Sequence, residues 1–119
     1  VLEPYLFNMK FIITENKIID VIKHYLDSKN YKQINVRDAL IYFYKEGEFL
    51  ADIVVDADIK FLELNFELTN ELRNFFSIDR GFAVEIIRSW IEDVTGIEEL
   101  EAWSPSDYHR STLYLPNTK

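Results

Sequence analysis

Residues 39–67 read ALIYFYKEGEFLADIVVDADIKFLELNFE, from Ala39 to Glu67, and they contain three β-rich runs at 39–45, 48–55 and 59–67. Glu46-Gly47 separates the first pair and Asp56-Ala57-Asp58 the second, both short enough for hairpins. Side chains alternate along a strand, so the register follows from which residues must share a face. Pairing Leu40 with Ile53, Tyr42 with Ala51 and Tyr44 with Phe49 gathers apolar residues on one side. Pairing Ala51 with Leu64 and Ile53 with Leu62 continues that side, and only Lys60, opposite Val55, interrupts it. The expectation is a three-stranded antiparallel meander.

The same register assigns the opposite face. It sets Asp52 against Glu63 and Glu48 against Glu67. Like charges directly opposite are unfavourable by up to about 1 kcal/mol, so Glu48, Asp52, Glu63 and Glu67 form an acidic cluster expected to attract cations. Ile41, Phe43, Leu50, Val54 and Phe61 lie among these charges. An apolar patch rimmed by charge suits an interface; its candidate residues are Ile41, Phe43, Leu50, Asp52, Phe61 and Glu63.

Helical spacing appears on both sides of the meander. Ile18, Ile19, Ile22, Tyr25 and Leu26 predict a helix over 15–29, capped by Thr14 and closed at Asn30. Thr69 is placed to cap a short helix carrying Leu72, Phe75 and Phe76. Ser77 or Asp79 caps a second over 80–95, with Ala83, Ile86, Ile87, Trp90, Ile91 and Val94 on its apolar face and Gly96 as its stop. Glu98–Trp103 and Ser111–Leu115 read as short strands. The predicted class is α+β: an antiparallel sheet with the central meander 39–67, packed by helices 15–29 and 80–95. Residues 9–119 read as one domain, and residues 1–8, ahead of Met9, as an upstream or appended extension.

The net charge of −8 over 119 residues is unevenly spread. Residues 46–107 carry four basic and sixteen acidic side chains, while residues 1–45 are net +2. That sign opposes direct nucleic-acid binding and anionic membrane surfaces. With no Cys there is no disulfide framework or thiol nucleophile. Apolar runs are too short for a transmembrane helix, and no signal-peptide pattern is present. A soluble cytoplasmic protein is expected.

Chemistry-bearing motifs are sparse. His24 falls off the apolar stripe of its helix. His109, within Ser106-Asp107-Tyr108-His109, adjoins Ser and Asp in sequence, whereas a triad converges in space from distant positions. Asp58-Ile59-Lys60 matches half of a nuclease-type metal motif, with Asp38 or Asp52 as partner. Phosphate-cradling glycine loops are missing, the chain having three Gly. No cofactor, metal or catalytic set is assigned. Trp103, at the end of an acidic run, is a candidate partner anchor.

The leader Met9-Lys10-Phe11-Ile12-Ile13-Thr14-Glu15 resembles the openings of small uncharacterised proteins of marine phages and their bacterial hosts. It implies a phage-encoded protein, in the host cytoplasm or virion, and carries no functional motif. The functional expectation is a small, acidic, non-catalytic interaction or oligomerisation domain, with a homodimer or another protein as partner. Two alternatives stand beside it: an acidic decoy of a nucleic-acid-binding protein, and a metal-dependent hydrolase using Asp52, Asp58 and Glu63.

Overall fold

A computed structural model describes residues 16–103 and 113–116. The leader, Thr14, residues 104–112 with His109, and the first eight residues lie outside them. Helix α1 covers residues 16–28. It is followed by β1 (Lys32–Val36), β2 (Leu40–Tyr44), β3 (Ile53–Asp56), β4 (Phe61–Leu64), α2 (Phe66–Phe76), α3 (Arg80–Thr95) and β5 (Glu101–Trp103). The five strands form one sheet in chain order. All neighbours are antiparallel except β4 and β5, which are parallel and joined by the crossover through α2 and α3. The fold is α+β, with the meander of residues 39–67 extended by a strand on each side.

The first hairpin does not have the register expected from the alternation. Leu40 lies opposite Asp56 rather than Ile53, a shift of three residues. The cause is the turn at Lys45-Glu46-Gly47-Glu48. Glu48 N–H donates to the Lys45 carbonyl at 3.0 Å, and Gly47, with φ 89°, occupies the third position as in a type II turn. Type II turns splay the strands they join, whereas tight hairpins use the primed types. Residues 49–51 therefore leave β2 and pair instead with the C-terminal segment. Ala51 N–H donates to Leu113 O at 2.8 Å, Leu115 N–H donates to Phe49 O at 3.0 Å, and Leu50 bridges Tyr114.

An odd shift turns a strand over. Ile41 and Phe43, expected outside, face the helices; Leu40, Tyr42 and Tyr44 face out. The second hairpin is displaced by two residues, Ile53 meeting Leu64, so its faces are kept. There Asp56 Oδ1 accepts the Asp58 and Ile59 N–H groups at 3.0 and 3.4 Å, and Lys60 takes φ 56°. The Asx turn makes a four-residue loop, residues 57–60, where the sequence reads as a three-residue one.

All three helices pack on the same side of the sheet. Ile22 and Leu26 from α1, Leu68 and Leu72 from α2, and Ile86, Ile87 and Trp90 from α3 join Phe43, Ile53, Val55, Leu62 and Leu64 in one buried cluster. Each such aliphatic or aromatic side chain contributes roughly 1.5–3 kcal/mol by leaving water. Helix ends are set by local chemistry. Asn65, not Thr69, caps α2, its Oδ1 accepting the Glu67 N–H at 2.8 Å; Thr69 is buried one turn into the helix. Asp79 caps α3 through the Phe82 N–H at 2.8 Å, and Ser77, in the left-handed region, ends α2. Gly96 terminates α3 with φ 76°. Among the described residues no helix is long and apolar enough to cross a membrane.

Candidate functional site

The six candidate interface residues divide between two faces. Phe43 is 1% exposed and meets Tyr31 and Trp90 edge-on at ring distances of 6.4 and 6.1 Å, so it belongs to the core and not to a contact surface. Ile41 packs against that core. Leu50 is half-buried beside Tyr114. Asp52 sits at a bend before β3 and turns to Tyr31, whose hydroxyl donates to its Oδ2 at 2.6 Å. Phe61 and Glu63 lie on β4, on the face away from Leu62 and Leu64.

The acidic cluster is not assembled. Glu48 is exposed in the type II turn, and Glu67 sits in the first turn of α2, where the helix dipole favours a carboxylate. Asp52 and Asp58 flank opposite ends of β3, which separates the hydrolase set. Among the described residues no group of three or more His, Asp or Glu is placed to hold a metal ion.

The turned-over β2 builds a different surface. Following the pairings across the sheet gives one continuous row: Ile34, Tyr42, Val54, Glu63 and Trp103. A second row beside it holds Val36, Leu40, Asp56, Phe61 and Glu101, and a shorter third holds Lys32 and Tyr44. No helix among the described residues lies on this side. Trp103 is 46% exposed, and Tyr42, Tyr44, Val54 and Phe61 are half-buried. Of the residues singled out from sequence, Val54, Phe61, Glu63 and Trp103 meet here. The unshifted register points Tyr42 and Tyr44 inward, and the three-residue shift brings them out. Ile34 belongs to β1, whose alternating Ile34 and Val36 are the signal that marks the strand.

A polar network occupies the helix side. The Tyr25 hydroxyl donates to Glu71 Oε2, and Lys29 Nζ lies 2.7 Å from the same oxygen and 5.2 Å from the Tyr25 ring centroid. Burial pushes the Asp52 carboxyl above the usual Asp range, against the Tyr31 hydrogen bond and the Lys45 and Lys29 charges. At Glu71 burial acts upward too, but hydrogen bonds from Lys29 and Tyr25 outweigh it and hold that carboxyl below its ordinary value. The hydrogen bond to Glu71, then burial and the carboxylate charge, push Tyr25 up to about 12. Burial and Asp52 push Tyr31 up as well. Both phenols are thus held as proton donors to their carboxylates, which suits a structural tie between α1, α2 and the bend before β3 rather than a nucleophile or base.

No protein family, curated protein or solved structure matches this chain.

Proposed function

We propose that the protein is a non-catalytic interaction domain that self-associates through the outer face of its sheet. The supporting observation is the row Ile34, Tyr42, Val54, Glu63 and Trp103, which crosses all five strands opposite the helical layer. Aromatic residues of this kind supply large contact area and a polar tip, and they dominate interface cores. A second copy is the simplest occupant because the face is charge-asymmetric. Lys32 lies on the β1 edge, while Glu63 and Glu101 lie on β4 and β5. A two-fold axis parallel to β3 stacks β1 of one copy over β5 of the other, bringing Lys32 toward that acidic edge and Trp103. The cysteine-free composition supports a cytoplasmic setting.

Sedimentation equilibrium tests the reading. The chain is expected to sediment as a dimer at tens of micromolar, with Tyr42→Glu and Trp103→Glu shifting it to monomer while preserving the circular dichroism spectrum. A monomeric wild type, or a dimer indifferent to both substitutions, would overturn it.

A further inference from the structure

Strand β1 lies at the edge of the sheet, with β2 on one side and no described strand on the other. Beside that edge, on the helix side, are two adjoining cavities of about 270 Å³ each. Tyr31, Gln33, Leu26 and Phe43 line the nearer one, and Asp20, Lys23, His24 and Asp93 the farther. Asp27, Trp90 and Val94 line both, so the cavities meet at the Trp90 indole. Each volume falls below the roughly 300–1,000 Å³ of small-molecule pockets and matches a side chain better.

The lining is graded. Near the strand it is mixed, the Tyr31, Phe43 and Trp90 rings standing beside Asp27, Asn30 and Gln33; beyond Trp90 it is acidic, with Asp20 and Asp93. Lys23 is committed to Asp93 at 2.7 Å and to Ser89 Oγ at 2.8 Å. Asp27 Oδ1 accepts the Trp90 Nε1–H at 2.9 Å, which fixes the indole between α1 and α3. With Lys23 paired to Asp93, Asp20 and Asp27 leave the farther cavity negative. A strand added to β1 directs every second side chain to the helix side, where Gln33 already borders the nearer cavity. A long side chain ending in a cation suits this lining, its stem passing the rings and its charge meeting Asp20 and Asp27.

We propose that the β1 edge and these cavities form a docking site for an extended peptide segment bearing lysine or arginine, which adds as a further strand and passes that side chain alongside Trp90. Main-chain hydrogen bonds supply the attachment and the graded cavities supply the selection. The site is separate from the outer face.

The test uses the full chain and a blocked peptide, Val-Thr-Val-Lys-Val-Thr-Val, followed by amide proton–nitrogen spectra. The peptide is expected to shift the Lys32–Val36 amides and the Trp90 indole N–H. Replacing its central lysine with glutamate is expected to require about tenfold more peptide for the same shift. Asp20→Asn with Asp27→Asn retains an oxygen for the indole and is expected to bring the two peptides within about twofold. Unshifted β1 amides at millimolar peptide would overturn the proposal, as would equal responses to the two peptides. Shifts confined to Tyr42 and Trp103 would overturn it too, by placing the peptide on the outer face.

Discussion

The Tyr31 hydroxyl donates to Asp52 Oδ2 at 2.6 Å, joining the start of β1 to the bend that precedes β3. The carboxyl it binds is raised by burial. The folded protein therefore holds a proton on Asp52 at pH values where the unfolded chain has released it. Stability falls as pH rises from the ordinary Asp value, about 3.9, through the raised folded value. Asp52→Asn keeps an acceptor for Tyr31 and removes the titration, so its stability, followed by urea unfolding from pH 4 to 8, is expected to lack that decline. Tyr31→Phe leaves the half-buried carboxylate without its donor and is expected to cost about 1–3 kcal/mol at neutral pH.

Glu71 has the opposite sign. Its folded value is lowered by Lys29 and Tyr25, so its contribution is present above the unfolded Glu value and is lost as pH falls through the folded one. Tyr25 reports on the same contact from the alkaline side. Its hydroxyl, pushed up to about 12 by Glu71 and burial, is expected to ionise after the exposed tyrosines in an ultraviolet titration. Glu71→Gln is expected to bring that step back toward the ordinary value of about 10. An unchanged Tyr25 titration in the variant would show that the hydroxyl and carboxylate are not in contact.

The β1–β2 connection carries the next prediction and explains why β1 is hard to read. Ala39 N–H donates to Val36 O at 3.2 Å across Arg37 and Asp38, whose φ values are 58° and 65°. This is the type I′ pattern, which strongly prefers Asn-Gly. The alternation of Ile34 and Val36 marks a strand, but Arg-Asp does not mark a turn. Helix α3, by contrast, is fully legible because its periodicity, its Asp79 cap and its Gly96 stop agree. A bulky residue in the left-handed region costs roughly 1–2 kcal/mol. Arg37→Asn with Asp38→Gly is therefore expected to raise stability by about 1 kcal/mol in denaturant unfolding.

Asn65 is hard to read for a different reason. Read as strand, it is one more polar residue on an outer face; in the fold it is the buried cap of α2. Its Oδ1 accepts from Glu67, and its Nδ2 points to Ala51 O at 3.5 Å. The strand-to-helix change falls at this residue because its side chain offers the helix a first acceptor that Leu64 cannot. Asn65→Ala is expected to cost about 1–2 kcal/mol by loss of the cap. Asn65→Asp keeps the acceptor but buries a charge, and it is expected to fall between the two in thermal denaturation.

Adjacent residues on β2 provide the sharpest test of the register. If Leu40 faced Ile53, Tyr42 would be core and Phe43 surface; with Leu40 facing Asp56 the roles exchange. The two substitutions then separate by kind as well as size. Phe43→Ala removes an aromatic ring packed between Tyr31 and Trp90 and is expected to destabilise by about 3–5 kcal/mol. Tyr42→Ala uncovers part of the outer face and is expected to leave unfolding within about 1 kcal/mol of wild type while weakening dimerisation. Unfolding and sedimentation of the same two variants therefore read the two faces of one strand. A destabilised Tyr42→Ala beside a native-like Phe43→Ala would mean that β2 is paired in the unshifted register, with the apolar row turned inward and the self-association surface lost.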